Sequence, residues 1–405
     1  MKPAFIHLFI VIGGILLSSC VMPDDSHAPF PKTSDARFHM VDAQNGWLEA
    51  DDEDKRRIFH TTDGGQSWTD VTPRSLTNRL WDCQFPTARM AWATMYYNGN
   101  RLLLTTNAGQ SWMPWTPLGN FDNSTHNYFL GTRNCRFFNS RDGLAEMMDC
   151  CTCQAEYNFF ETHDGGASWR PAAIIPPQPA CPGALPGTFT LGDCDGSAIA
   201  YYPPRTIVIV QGDLMDEAPK GVVRLSQTTN AGASWHEITL PLPEKYQDCL
   251  VSAQPPYFFD GTHALLHVNA SKWLNNGTNV YKVILFYASR DGGIHWRRKS
   301  CEFDTHGISP GETCLFLSQK DILLYNQETL LRNTDSPENW QNLKPDIGKN
   351  HFIAQVDFAD KRHGWLVATV RSNSSPSGDD ELYRTTDGGF TWAKLTPQIL
   401  GQHNP

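Results

Sequence analysis

Positive charge in excess is what this sequence most lacks: 33 Lys and Arg stand against 43 Asp and Glu, a formal net charge of −10. Neutralising nucleic-acid phosphates needs a basic face, so a general nucleic-acid role is not expected. Long amphipathic helical patterns are missing as well, and no phosphate-cradling glycine loop precedes a helix. No cofactor is expected. Charged residues of both signs are sparse, at 19% against 40% hydrophobic, which places the chain among globular rather than disordered proteins.

The first twenty residues are "MKPAFIHLFIVIGGILLSSC". One cation precedes an apolar run from Ala4 to Leu17, too short for a comfortable membrane span and suited to a secretory signal. The ending Leu17-Ser18-Ser19-Cys20 resembles the lipobox of bacterial lipoproteins. That resemblance implies a signal over 1–19, a lipid on Cys20 and a tether over 20–35. Val21 stands where inner-membrane lipoproteins often carry Asp, so the same resemblance favours the outer membrane of a bacterial cell envelope.

The mature chain repeats one phrase seven times: "TTDGGQSW" at 61, "TTNAGQSW" at 105, "THDGGASW" at 162, "TTNAGASW" at 228, "SRDGGIHW" at 289, "NTDSPENW" at 333 and "TTDGGFTW" at 385. A strand-like run precedes each copy, such as "RRIFHT", "VYKVILFYAS" or "ELYRTT". Short runs such as "TDVTP" and "AKLTP" follow, and an aromatic-then-"GW" element recurs upstream, as in "VDFADKRHGWLVAT". Each unit reads as four short strands with tight turns, and the phrase as the turn between the third and fourth. Asp63 can close that turn by accepting from backbone N–H groups two or three residues on, Gly65 supplies positive φ, and Trp68 packs back over it. The corresponding residues are Asn107, Gly109 and Trp112; Asp164, Gly166 and Trp169; Asn230, Gly232 and Trp235; Asp291, Gly293 and Trp296; Asp335 and Trp340; and Asp387, Gly389 and Trp392. Asparagine in two copies suits an acceptor and does not suit catalysis. In the sixth copy Pro337 stands where the glycine should be.

The pattern S/T-x-D/N-x-G-x-S/T-W resembles the Asp-box, or BNR repeat, of sialidases and related β-propellers. The resemblance implies an all-β, seven-bladed β-propeller over 36–405, with four-stranded blades. Residues 20–405 give about 55 per unit, above the ~40–50 of lean propeller repeats, so the surplus is expected in loops. The "GW" element together with the box is more similar to the photosystem II assembly-factor-like subgroup than to the sialidases. In this fold the boxes sit at the outer rim, where seven of them cannot converge on one substrate, so the reading assigns no catalytic or metal residue to them.

Sialidase chemistry needs an arginine cluster, a Tyr–Glu pair and an acid/base Asp. Its F-R-I-P-like stretch is absent: the chain has "ARFHMVD", with Arg37 followed by Phe38. Other glycosidases use paired carboxylates; Asp82, Asp142, Asp193, Asp195 and Asp357 are candidates that also fit ordinary turns. His263 and His267 could share a strand face, as metal ligands or as half-buried polar positions. The resulting expectation is a non-catalytic protein-binding or assembly scaffold, and the alternative is a carbohydrate-binding or glycoside-hydrolysing propeller.

Eleven cysteines leave ten after Cys20, an even number in an oxidising compartment. Cys181 and Cys194, and likewise Cys301 and Cys314, are each thirteen apart between units; each is expected to be a disulfide, contributing roughly 3 kcal/mol in the chain-entropy model. Cys150, Cys151 and Cys153 in "DCCTC" are read as disulfide partners of Cys83, Cys135 and Cys249, with the pairing open, rather than as a thiolate metal site. Candidate binding loops are the Pro- and Gly-rich 172–200, 211–221, and 269–279 with Trp273 at its tip.

Overall fold

The computed structural model describes residues 37–52, 55–73, 80–95, 102–115, 128–129, 136–137, 141–149, 157–165, 168, 170–171, 198–202, 205–210, 220–230, 233–274, 279–304, 313–334, 340–370 and 380–400. Strands dominate: the helical segment among the described residues is a single 3-10 turn, Glu244–Tyr246. The fold is all-β.

Among the described residues, seven mainly antiparallel sheets follow one another along the chain. The first holds β1 (Arg37–Met40), β2 (Gly46–Asp52), β3 (Lys55–Thr61) and β4 (Ser67–Asp70); the second holds β5 (Leu80–Gln84), β6 (Ala91–Met95), β7 (Leu102–Thr105) and β8 (Met113–Trp115). The third comprises β9 (Tyr128–Phe129), β10 (Arg136–Phe137), β11 (Gly143–Asp149), β12 (Tyr157–Thr162) and β13 (Arg170–Pro171). The fourth comprises β14 (Ala198–Tyr202), β15 (Thr206–Val210), β16 (Val222–Thr228) and β17 (His236–Pro241). In the fifth are β18 (Leu250–Ala253), β19 (Tyr257–Phe258), β20 (Ala264–Leu274), β21 (Asn279–Ser289) and β22 (Arg297–Asp304). The sixth contains β23 (Thr313–Ser318), β24 (Asp321–Tyr325), β25 (Leu330–Thr334) and β26 (Gln341–Asn342), and the seventh β27 (His351–Phe358), β28 (Gly364–Val370), β29 (Asp380–Thr385) and β30 (Ala393–Lys394).

Two of the five-stranded sheets are four-position sheets whose first strand is in two pieces. β18 and β19 both pair with β20, at Val268–Ser271 and at Ala264–Leu265. Between them lie Pro255 and Pro256, which have no N–H to give the ladder. β9 and β10 share β11 in the same manner. The fifth strand of the first sheet differs in kind: β31 (Gln398–Leu400), from the end of the chain, runs parallel to β4, with Ile399 beside Trp68.

The second strands β15, β24 and β28 are buried on both faces, which explains apolar runs such as "TIVIV" where a half-wet strand would alternate. On the first sheet Phe38, Met40 and Leu48 pack with Trp365, Val367 and Leu382 of the seventh. Trp47, Ile58 and Val71 pack with Ala91, Ala93 and Leu103 of the second. Further clusters join the fourth sheet to the fifth, the fifth to the sixth and the sixth to the seventh. Trp47, Trp68, Trp92 and Trp365 are fully buried; each contributes about 4–6 kcal/mol of transfer free energy before ordering entropy is subtracted.

Candidate functional site

The repeated phrase lies between the last two strands of its sheet. Thr61 Oγ1 donates to Asp63 Oδ1 (2.8 Å) and accepts from Gly65 N (3.0 Å). Asp63 accepts from Ser67 N (2.9 Å) and Ser67 Oγ (2.6 Å). The acceptor therefore reaches four residues on, not the expected two or three, because Gly64 and Gly65 at φ 74° and 89° coil the chain left-handed in between. Asp164, Asp291 and Asp387 likewise accept from the backbone N–H four residues on. Asn107 and Asn230 accept from Ser111 N and Ser234 N, and their amides donate to the same serines' hydroxyls. The hydroxyl and amide of Thr391 hold the Asp387 carboxyl down at about 2. Burial pushes Asp63 upward, but the bonds from Ser67, Thr61 and Gln66 outweigh it and its pKa falls. Such carboxylates stay ionised at neutral pH, fully engaged with their own turn.

The tryptophans complete the turns in two ways. A β-carbon built on Gly65, Gly293 or Gly389 would meet the Trp68, Trp296 or Trp392 ring at 3.4–3.5 Å. Trp112 and Trp340 donate instead to the preceding sheet, to Val71 O (2.7 Å) and Glu302 O (3.2 Å). Trp235 is half-buried at the start of β17. Gly109 follows Ala108, which itself adopts φ 59°. Gly166, Trp169, Gly232 and Asp335 lie outside the described residues.

Two recurring devices escaped the sequence reading. First, the turn between the first two strands of a sheet carries its own side-chain cap. Asp42 accepts from Gln44 N and Asn45 N, Asp260 from Thr262 N and His263 N, and Asp360 from Arg362 N and His363 N. Second, the residue just before the repeated phrase reaches into the next sheet. His60 bonds Ala88 O (2.9 Å), Gln227 donates to Gly292 O (2.6 Å), and Arg384 donates to Ala43 O (2.9 Å). Arg332 donates to Gly388 O (2.6 Å) and Lys361 O (2.9 Å), while a two-point ion pair with Asp321 (2.7 and 2.8 Å) neutralises it in the core. These positions carry different side chains in different copies, so no repeat signal marks them; a polar residue on an otherwise buried strand was the available clue.

A cavity of about 400 Å³ opens where the first strands of the first three sheets approach one another. β1 contributes Arg37 and His39, which alternate with the buried Phe38 and Met40. From β2 comes Glu49, 2% exposed and paired with Arg56 at 3.0 Å. Cys83 and Gln84 end β5, followed by Phe85 and Pro86, and Phe137 of β10 closes the far wall. Gln84 Oε1 accepts from Phe137 N (3.0 Å), and His39 Nδ1 lies 3.5 Å from Asp357 Oδ2 of the seventh sheet. Burial pulls the His39 pKa down, but the hydrogen bond and charge of Asp357 outweigh it, and the net direction is up.

The candidate carboxylates do not assemble an acid/base pair where they are described. Asp142 Oδ1 lies 2.8 Å from His163 Nδ1. Asp357 accepts from Met40 N (2.7 Å) and Phe358 N (2.9 Å), bracing the first sheet against the seventh. Asp193 and Asp195 lie outside the described residues, as does the side chain of Asp82. His263 and His267 do not share a site. His263 precedes β20 and bonds Asp260, whereas His267 is buried against Asn269, its pKa lowered to about 4 chiefly by burial. Cys249 corrects the expected cysteine pairing: it is a free thiol, 1% exposed, packed in the core of the fourth and fifth sheets where burial pushes its pKa up. Cys181 and Cys194, the side chain of Cys301, Cys135, Cys150, Cys151 and Cys153 fall outside the described residues or side chains, as do residues 172–197 and 211–219 and the side chain of Trp273.

No known family model matches the chain, and no curated protein does. Among solved structures it is similar to YCF48 bound to D1 peptide (16% identity, 89% of this chain and 95% of that one, TM-score 0.47). It is also similar to YCF48 from Cyanidioschyzon merolae (12%, 89% and 96%, TM-score 0.44) and to a polysaccharide lyase, the PL25 ulvan lyase (8%, 90% and 94%, TM-score 0.47). At these identities and scores none of the three carries an argument about what this chain does.

Proposed function

We propose that this chain is a non-catalytic binding scaffold: a seven-bladed β-propeller with Asp-box turns, each sheet a blade, that engages a protein partner in the bacterial cell envelope. One observation supports this most. The cavity at the inner strands offers hydrogen-bond donors and aromatic walls, while the candidate carboxylates Asp142 and Asp357 serve as structural braces. A rigid disk with a side-chain-lined opening suits recognition. The test is a peptide array beside a panel of polysaccharides, with reducing-end and unsaturated-product assays. Saturable peptide binding without bond cleavage is expected; turnover of any glycan would refute the scaffold reading in favour of the carbohydrate alternative, to which Phe85 and Phe137 could lend a stacking surface.

The lipobox-like "LSSC" supports a lipid anchor on Cys20 and, with Val21, placement at the outer membrane. Cys20→Ala should move the expressed protein from the membrane fraction to the soluble fraction. Retention of that variant on membranes would remove the anchor from the proposal.

A further inference from the structure

We infer that the cavity where the first three sheets meet binds a carboxylate of its peptide partner, held by Arg37, His39 and Gln84; this rests on the scaffold reading above. Three side chains on this cavity carry donors with no partner among the described residues. Arg37 is exposed and makes no hydrogen bond or ion pair among the described residues. Gln84 spends its Oε1 on Phe137 N, which leaves its amide N–H groups for a ligand. His39 turns Nδ1 to Asp357, which leaves Nε2 for a ligand. Glu49, the acidic residue lining the cavity, is already neutralised by Arg56.

An anion is what such a surplus of donors recognises, and a guanidinium matches the planar, two-oxygen geometry of a carboxylate. Phe85, Pro86 and Phe137 form an apolar flank that keeps water from one side of the bonds and so strengthens them. A volume of about 400 Å³ admits one or two residues, not a folded domain. The ligand is therefore a chain end or an Asp or Glu side chain with an apolar neighbour. The titratable groups that share the cavity with His39 are Arg37 on its own strand, Glu49 on β2 with its ion-pair partner Arg56 on β3, and Cys83 on β5, while Asp357 faces it across the seam. Protonated His39 adds a second positive donor, so binding weakens as pH rises through its raised pKa.

Calorimetry on the mature chain tests this with small probes. N-acetylphenylalanine presents a terminal carboxylate beside a ring, N-acetylaspartate α-amide presents a side-chain carboxylate, and N-acetylphenylalaninamide is the uncharged control. At least one acid should bind about tenfold more tightly than the amide. Arg37→Ala should abolish that difference, and Arg37→Lys should retain part of it. Raising pH from about 6 to about 8.5 should weaken the acid, and His39→Gln should remove this dependence. Because Arg37 bonds none of the other described residues, both Arg37 variants should melt at the parent temperature. Equal binding of acids and amide, or an unaltered preference in a normally melting Arg37→Ala, overturns the inference. If array peptides still bind that variant, the scaffold reading survives without this site. If glucuronate binds here while no array peptide does, the peptide ligand and the scaffold reading fall together.

Discussion

Asp63 and Asn107 close equivalent turns with different chemistry, and the pair separates structure from catalysis. Each oxygen accepts from the backbone N–H four residues on, at 2.9 and 3.0 Å. Replacing carboxylate by amide reverses one further bond, because the Asn107 amide donates to Ser111 Oγ where Asp63 accepts from Ser67 Oγ. Asp63→Asn should thus change the unfolding free energy measured in urea by less than about 0.5 kcal/mol, whereas Asp63→Ala, which strands Ser67 N and Thr61 Oγ1, should cost about 1–2 kcal/mol. The pH dependence has a definite sign. The folded-state pKa of Asp63 is lowered, so its contribution is present above the ordinary Asp value near 4 and fades as pH falls below it. Urea titrations of Asp63→Asn should accordingly show a shallower loss of stability in acid. The residue types at these turns were legible in the sequence, because the bonds stay within a few residues. The capping role of Asp42, Asp260 and Asp360 is equally local, but the turns "DAQN", "DGTH" and "DKRH" share too few letters to mark it.

Strand boundaries follow local chemistry less closely than turns do. The break between β18 and β19 is written in Pro255 and Pro256, whereas nothing in "PQILGQ" announces that β31 will pair with a strand more than three hundred residues earlier. That pairing buries Ile399 to 8% exposure against the Trp68 strand. Deleting residues 398–405 should lower unfolding free energy by about 2–4 kcal/mol, from one buried aliphatic side chain and the lost ladder bonds. Equilibrium denaturation of the shortened chain measures it; an unchanged midpoint would mean that β31 contributes nothing to the stability of the first sheet. Arg332 makes a related point within an element. Its strand is buried, so the guanidinium is tolerable only because Asp321 neutralises it and two carbonyls of the seventh sheet take its remaining donors.

Across the whole molecule, the seventh sheet meets the first through several independent contacts. Gln355 exchanges two bonds with the backbone of Phe38, Asp357 accepts from Met40 N, Trp365 donates to Gly64 O, and Arg384 donates to Ala43 O. None of these partners is within 300 residues of the other, and their chemistry is too ordinary to stand out. The candidate cavity shares that origin: Arg37, Gln84 and Phe137 belong to three sheets and become neighbours only when those sheets stand side by side. From its own letters the sequence determined an all-β chain of short strands and tight turns, because periodicity, glycines and turn acceptors act within a few residues. Which sheets touch, which carboxylates become braces and where unused donors gather was decided by tertiary structure alone, since those outcomes depend on close packing between segments far apart in the chain.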